Sequence, residues 1–295
     1  MARLGLDRTG AFVLCAVAYF VALAAAVVTG FAVTQDEPIW VAGAADLVAT
    51  LVIFAFSLRF DNSSLYDPYW SVAPPLLGWY FLSQNLGDVD PARAAVCLGL
   101  CTVWAVRLTY NWATGWSGLD HQDWRYVEIQ RKTGKLYWLV SLLGIHLFPT
   151  AQVFAGSLAL LPALTSARPF HLLDAVAILV TAFAIVYEAV ADRQLRAFRR
   201  RPGKPPDALL CEGLWRYSRH PNYFGEVTFW WGIFLFGLAA SPEAWTWTVV
   251  GPTLITLMFL FVSIPLMERR QLDSRPSFRS YAETTSMIVP WFPKR

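Results

Sequence analysis

Long apolar runs separated by short polar stretches dominate the chain. Runs of this kind occupy residues 11–33, 39–58, 68–82, 94–113, 136–164, 171–191, 223–240 and 245–267. Most match the roughly 20 apolar residues that a helix needs to cross a bilayer. The first is too long for a signal-peptide core and has no convincing cleavage site, so it is expected to be retained. The run at 68–82 contains Pro74-Pro75, which predicts a kink, and 136–164 is long enough for a tilted or broken span. The polar remainder comprises an acidic turn at 35–38, loops at 59–67, 83–93 and 114–135, a basic loop at 193–221, and a polar, amphipathic tail from 268 onward. The pattern predicts an all-α, polytopic membrane helix bundle of about seven to eight transmembrane helices. It shows no soluble domain and no internal repeat. The organisation expected is an N-terminal helical part, 1–66, followed by the main transmembrane unit with its loops and tail, 67–295.

Composition agrees with this pattern. Hydrophobic residues make up 56% of the chain and charged residues 15%, against about 25% charged in soluble domains. The 14 Trp and 11 Tyr suit bilayer interfaces. A net charge of +3 gives no reason to expect a nucleic-acid partner. The four Cys form no disulfide framework, and the four His show no metal-ligand spacing, so no metal is expected. Charge also sets an orientation. With eight spans and both termini cytosolic, 21 of the 24 Lys and Arg fall inside, two (Arg93 and Arg168) outside, and Arg107 within the membrane. That asymmetry follows the positive-inside rule and predicts a multi-pass inner-membrane protein with cytosolic termini.

Ionisable residues inside spans are costly and mark functional candidates. Arg107, Tyr110 and Asn111 stand at i, i+3 and i+4, which predicts one polar face shared with Trp104. Glu188, Asp192, Arg196 and Arg199 form a second stripe running into the basic loop. Its simpler reading is a ladder of ion pairs, which leaves Glu188 unexplained. Asp67, ahead of Pro68, is either a helix cap or a functional acid. The densest candidate is EGLWRYSRHPNYFGE, residues 212–226. It combines Arg216, Arg219 and His220 with Tyr217, Asn222, Tyr223 and Glu226 at the start of an apolar helix whose first N–H groups favour an anion. A basic cluster that only fixes topology is the alternative.

GLWRYSRHPNYFGE, preceded by ADRQLRAFRR and followed by MERRQL, FRSY and VPWFP, resembles the steroid 5α-reductase-like membrane family, in particular its bacterial branch. The stretch around Asp67-Pro-Tyr-Trp and the run from Arg107 through Asp123-Trp-Arg-Tyr also fit it, so the likeness spans roughly 67–293. The Arg-His-Pro core is shared with isoprenylcysteine carboxyl methyltransferases and sterol reductases. The resemblance implies NADPH held in a helix bundle open to the cytosol, with hydride delivered to an apolar enone. By position it implies that Asp192, Arg199 or Arg200, Asn222 and Glu226 bind the cofactor, with Glu268 and Tyr281 in the later motifs beside them. It also places Asp67 near the carboxylate that, with a Tyr, polarises the substrate carbonyl. The family's Tyr position holds Trp104, so Tyr69 or Tyr110 is the expected substitute.

The expected activity is therefore reduction of a conjugated C=C bond in a lipid-like, 3-oxo-Δ4-steroid-like substrate by a monomeric membrane enzyme. Clustered arginines suit a phosphate-rich dinucleotide. The rivals are an S-adenosylmethionine-dependent methyltransferase and a non-catalytic lipid- or cofactor-binding protein. Reporter fusions after Lys135, Pro206 and Arg295 should all read cytosolic; a periplasmic signal at any of them overturns the orientation.

Overall fold

The computed structural model describes residues 6–85, 88–205 and 207–294; Arg3 and Arg295, counted in the charge balance, and Pro206 lie outside them. Ten helices are formed: α1 Arg8–Ala32, α2 Pro38–Arg59, α3 Tyr69–Ser83, α4 Pro91–Gly115, α5 Trp124–Ser157, α6 Leu160–Thr165, α7 Leu172–Arg199, α8 Pro221–Ala240, α9 Pro242–Ser274 and α10 Phe278–Thr284. Their starts follow local chemistry. Asp7, Asp90 and Asp123 cap α1, α4 and α5 through their carboxylates, and Pro38, Pro91 and Pro221 occupy first-turn positions where no N–H is needed. No strand occurs among the described residues. The polar 124–133 segment, expected as loop, is the first part of α5, because Asp123 accepts from Arg125 N and opens a helix there.

Seven of these helices are long and apolar enough to cross a membrane. The exception is α3, which at 15 residues is short of the roughly 20 required. The predicted span at 68–82 is thus a short helix, completed by the buried segment ahead of it. After α2 the chain turns back into the bundle, and Ser63–Tyr66 is fully buried before α3 begins. Irregular backbone of this kind is tolerated because protein surrounds it. Ser63 bonds Tyr137 and Ser141, Tyr66 bonds Thr150, and Asn62 donates to the Leu119 and His121 carbonyls. With this segment, α3 still runs from one end of the bundle to the other. Both described termini therefore lie at one end. Arg8 donates to Trp116 and Ala113 carbonyls there, and the tail meets Tyr217.

The opposite end is locked by a buried ion pair. Arg93 Nε lies 2.6 Å from Asp174, and its remaining nitrogens reach the Arg168 and Pro169 carbonyls. Arg93 was expected in an external loop; it is fully buried because Asp174 and those carbonyls satisfy its guanidinium. Phe20 (73% exposed) and Leu172 (80%) show the apolar outer surface expected of lipid-facing helices.

The core joins α3, α4, α6, α7 and α8 around Trp104, Leu160, Phe229 and Trp230. The α7–α8 contact is close and depends on missing side chains. A Cβ at Gly225 would stand 2.6 Å from Glu188 Cβ, and one at Gly232 would stand 2.2 Å from Thr181 Oγ1. Small residues let helix backbones approach this way, and that approach brings Glu188 beside Glu226. Gly232→Ala should lower the thermal unfolding midpoint in detergent, since overpacking typically costs about 1–3 kcal/mol. An unchanged midpoint would refute the close approach.

Candidate functional site

Polar groups from four helices converge at the end of the bundle that carries the basic loop. Arg107 on α4 faces α7, where its Nη2 lies 2.6 Å from Glu188 Oε2 and its Nη1 2.9 Å from Asp192 Oδ2. Asn111, one turn further along α4, donates to the same Asp192 oxygen at 2.7 Å and accepts from Arg196 at 2.5 Å. The two stripes read from the sequence thus face each other. From α8, Glu226 accepts from the indoles of Trp104 and Trp230, both at 2.9 Å.

This cluster is unfinished in hydrogen bonding. The Arg107–Glu188 contact is close but not aligned as a hydrogen bond, and Arg107 Nε, Arg107 Nη2 and Glu188 Oε2 are buried without such a partner. Three carboxyl groups also meet a single directly paired guanidinium. Buried polar atoms are normally satisfied, and the 2.6 Å ion pair compensates Arg107 Nη2 and Glu188 Oε2, which leaves Arg107 Nε as the atom without a contact.

A second group lies at the head of α3. Tyr126 on α5 donates to Asp67 Oδ1 at 2.7 Å. Next to it, Asp123 chelates Arg125 through 2.8 and 3.1 Å contacts, while the Asp123 amide donates to Ser64 Oγ. Burial pushes the Asp67 acid up to about 7, with the Tyr126 hydrogen bond acting against that rise. Burial works on Asp123 as well, but its Arg125 contacts hold it below the usual carboxylate range. Tyr223, in the first turn of α8, stacks on His220 and packs against Phe259.

The partner of Asp67 is therefore Tyr126, not Tyr69 or Tyr110. The Tyr69 hydroxyl is spent on Asp46, at 2.6 Å. Tyr110 is 64% exposed, although it was expected to look into the bundle. At about 100° per residue it sits at the edge of the Arg107 stripe, roughly 100° from Asn111. Tyr126 was visible in the sequence only as a residue of the Asp-Trp-Arg-Tyr stretch, and nothing local marks its pairing across 59 positions.

The Arg-His-Pro motif proves largely occupied. Arg219 pairs with Glu268 at 2.6 Å and donates to the Ala282 and Thr285 carbonyls, and its own amide bonds Ser286. His220 contacts the same Glu268 oxygen at 3.1 Å and stacks on Tyr223. Tyr281 donates to the Trp215 carbonyl, and the Tyr217 carbonyl accepts from Trp291 N. Arg219, His220, Glu268, Tyr217 and Tyr281 thus tie the tail to the start of α8. Arg199 and Arg200 remain exposed and make no ion pair among the described residues; the Asn222 side chain, half-buried, makes no hydrogen bond among them. An open groove of about 670 Å³ lies between the basic loop and the tail, lined in part by Asp207, Arg216, Ser280 and Tyr281. Neither Asp67 nor Glu226 lines it.

These features define an integral membrane helix bundle with a buried polar site at one end. The chain belongs to the family described as "Protein of unknown function (DUF1295)", whose pattern matches residues 53–285 and so includes Asp67, Arg107, Tyr126 and Glu226. It is also similar to the "Uncharacterized protein C594.04c" of Schizosaccharomyces pombe, 27% identical over 262 residues that cover 81% of this chain and 76% of the yeast protein. No solved structure matches it.

The raised Asp67 acid has a consequence for stability. The folded protein favours the protonated carboxyl, so this preference stabilises most below 3.8 and is lost as pH rises through about 7. Thermal stability in detergent should fall between pH 5 and pH 8, and Asp67→Asn should flatten that slope. An equal slope in both proteins would assign the effect to other groups.

Proposed function

We propose that the protein is a membrane-embedded, NADPH-dependent reductase of a conjugated C=C bond in an apolar enone, a 3-oxo-Δ4-steroid-like lipid. The observation that carries this reading is the Asp67–Tyr126 pair, a buried carboxyl that accepts from a phenol at the head of α3 and is itself pushed up to about 7. The resemblance of the Arg-His-Pro, Met-Glu-Arg-Arg and Phe-Arg-Ser-Tyr stretches to the bacterial branch of the steroid 5α-reductase-like family supports it. By the positive-inside rule the site opens to the cytosol, where NADPH is available.

The residues present fit such a cofactor. The exposed Arg199 and Arg200 would hold its phosphates, with Asn222 at the N-terminus of α8 beside them. Arg107, whose buried Nε makes no hydrogen bond, would donate to its carboxamide oxygen. When bound, NADPH supplies the hydride that adds to the enone β-carbon. Asp67 and Tyr126 would hold one proton at the carbonyl oxygen, where charge develops as the double bond shifts. Ionised, Asp67 would hold the Tyr126 proton toward itself, whereas protonated it has a proton of its own to give, so activity should fall as pH rises through about 7.

A second reading draws on the same cluster. Three buried carboxyls around one guanidinium carry surplus negative charge, which would suit the sulfonium of S-adenosylmethionine in a methyltransferase. Thermal shift of the purified protein separates the two: NADPH should stabilise it more than NADH or S-adenosylmethionine does. In turnover of a 3-oxo-Δ4-steroid with NADPH, Asp67→Asn and Tyr126→Phe should each lose about 10²–10⁴-fold while retaining NADPH binding. Stabilisation by S-adenosylmethionine alone would overturn the reductase.

A further inference from the structure

The tail carries apolar side chains that the fold leaves outside. Residues 288–294, Ile-Val-Pro-Trp-Phe-Pro-Lys, run on from a bend at 287–289 without regular secondary structure, and their backbone is fixed at several points. Ser218 Oγ donates to the Ile288 carbonyl at 2.8 Å, Trp291 N to the Tyr217 carbonyl at 2.9 Å, and Lys294 N to the Thr284 carbonyl at 2.8 Å. The Phe292 ring meets Tyr217 edge-on at 5.9 Å. Pro290 and Pro293 stiffen the segment on either side of the two aromatics. Yet Val289 is 57% exposed, Trp291 70% and Phe292 76%. A mobile tail would expose such residues at random; here a pinned backbone holds them outward.

Their position along the bundle identifies what covers them. Tyr217, which holds Trp291 and Phe292, precedes by four residues Pro221, the first residue of α8. That distance is at most about 14 Å of extended chain. The aromatics therefore sit level with the mouth of a helix long and apolar enough to cross a membrane. Trp is enriched at that depth, where its ring meets the acyl boundary and its N–H the headgroups. The flanking exposed cations, Lys294 and Arg216, complement the anionic phosphates of the same layer. A second protein would not need the aromatics at this level.

We propose that residues 289–294 are an interfacial anchor, with Trp291 and Phe292 inserted at the headgroup–acyl boundary beside α8 and Lys294 against lipid phosphate. The anchor holds the tail in the plane from which Arg219 and Glu268 are latched. This inference is independent of the reaction proposed above.

The test is the depth of a spin label. Cys211 is exposed while Cys15, Cys97 and Cys101 are buried, so Cys211→Ser gives a suitable background. A nitroxide at Phe292→Cys would be compared with one at Glu283→Cys, an exposed position on α10, in phosphatidylcholine–phosphatidylglycerol vesicles. The ratio of collision with oxygen to collision with a water-soluble nickel chelate should be several-fold higher at 292 than at 283. Equal ratios would overturn the anchor. Spin–spin broadening at 292 that rises with protein-to-lipid ratio would also overturn it, in favour of a second copy of the chain. Should Phe292→Cys fail to insert, a label at Val289→Cys reads the same depth.

Discussion

A guanidinium inside a membrane must be neutralised by protein, and the path of the bundle follows from where Arg107 finds its partners. Glu188 and Asp192 lie one turn apart on α7, so both carboxyls can meet one side chain on α4. Charges at this depth cost several kcal/mol when unpaired, which fixes the rotation of both helices. Gly225 then allows α8 to reach Glu188 closely enough for Glu226 to join the group. Register, crossing and site are consequences of the same constraint. The fully satisfied Arg93–Asp174 pair does comparable work at the opposite end without leaving an atom free. The contrast between the two pairs is informative: one is fully hydrogen-bonded, and the other leaves Arg107 Nε without a partner.

The basic end separates architecture from chemistry more sharply than its residues suggest. Arg219 and His220, the most conspicuous anion-holding groups, spend their hydrogen bonds on Glu268 and tail carbonyls. They thereby hold His220 flat against Tyr223. The motif acts on the site by placing Tyr223 and the start of α8. The polar groups left without such bonds are less conspicuous: exposed Arg199 and Arg200, the Asn222 amide and Arg107 Nε.

Helices, their lengths and their apolar faces were determined by sequence, because hydropathy and helical periodicity are local properties. So were the facing stripes, since Arg107 with Asn111 and Glu188 with Asp192 stand at spacings that put each pair on one helix face. Asp67 at the head of a short, proline-bearing helix was legible for the same reason. What tertiary structure alone decided were pairings between distant positions and the competition among them. Asp67 takes its hydroxyl from Tyr126, 59 residues away, because Tyr69 is already held by Asp46 and Tyr110 turns outward. Arg219 could have faced an anion, but a tail 63 to 66 residues downstream reaches it first. A side chain's chemistry is written where it stands; which partner satisfies it depends on every other group the fold brings within reach.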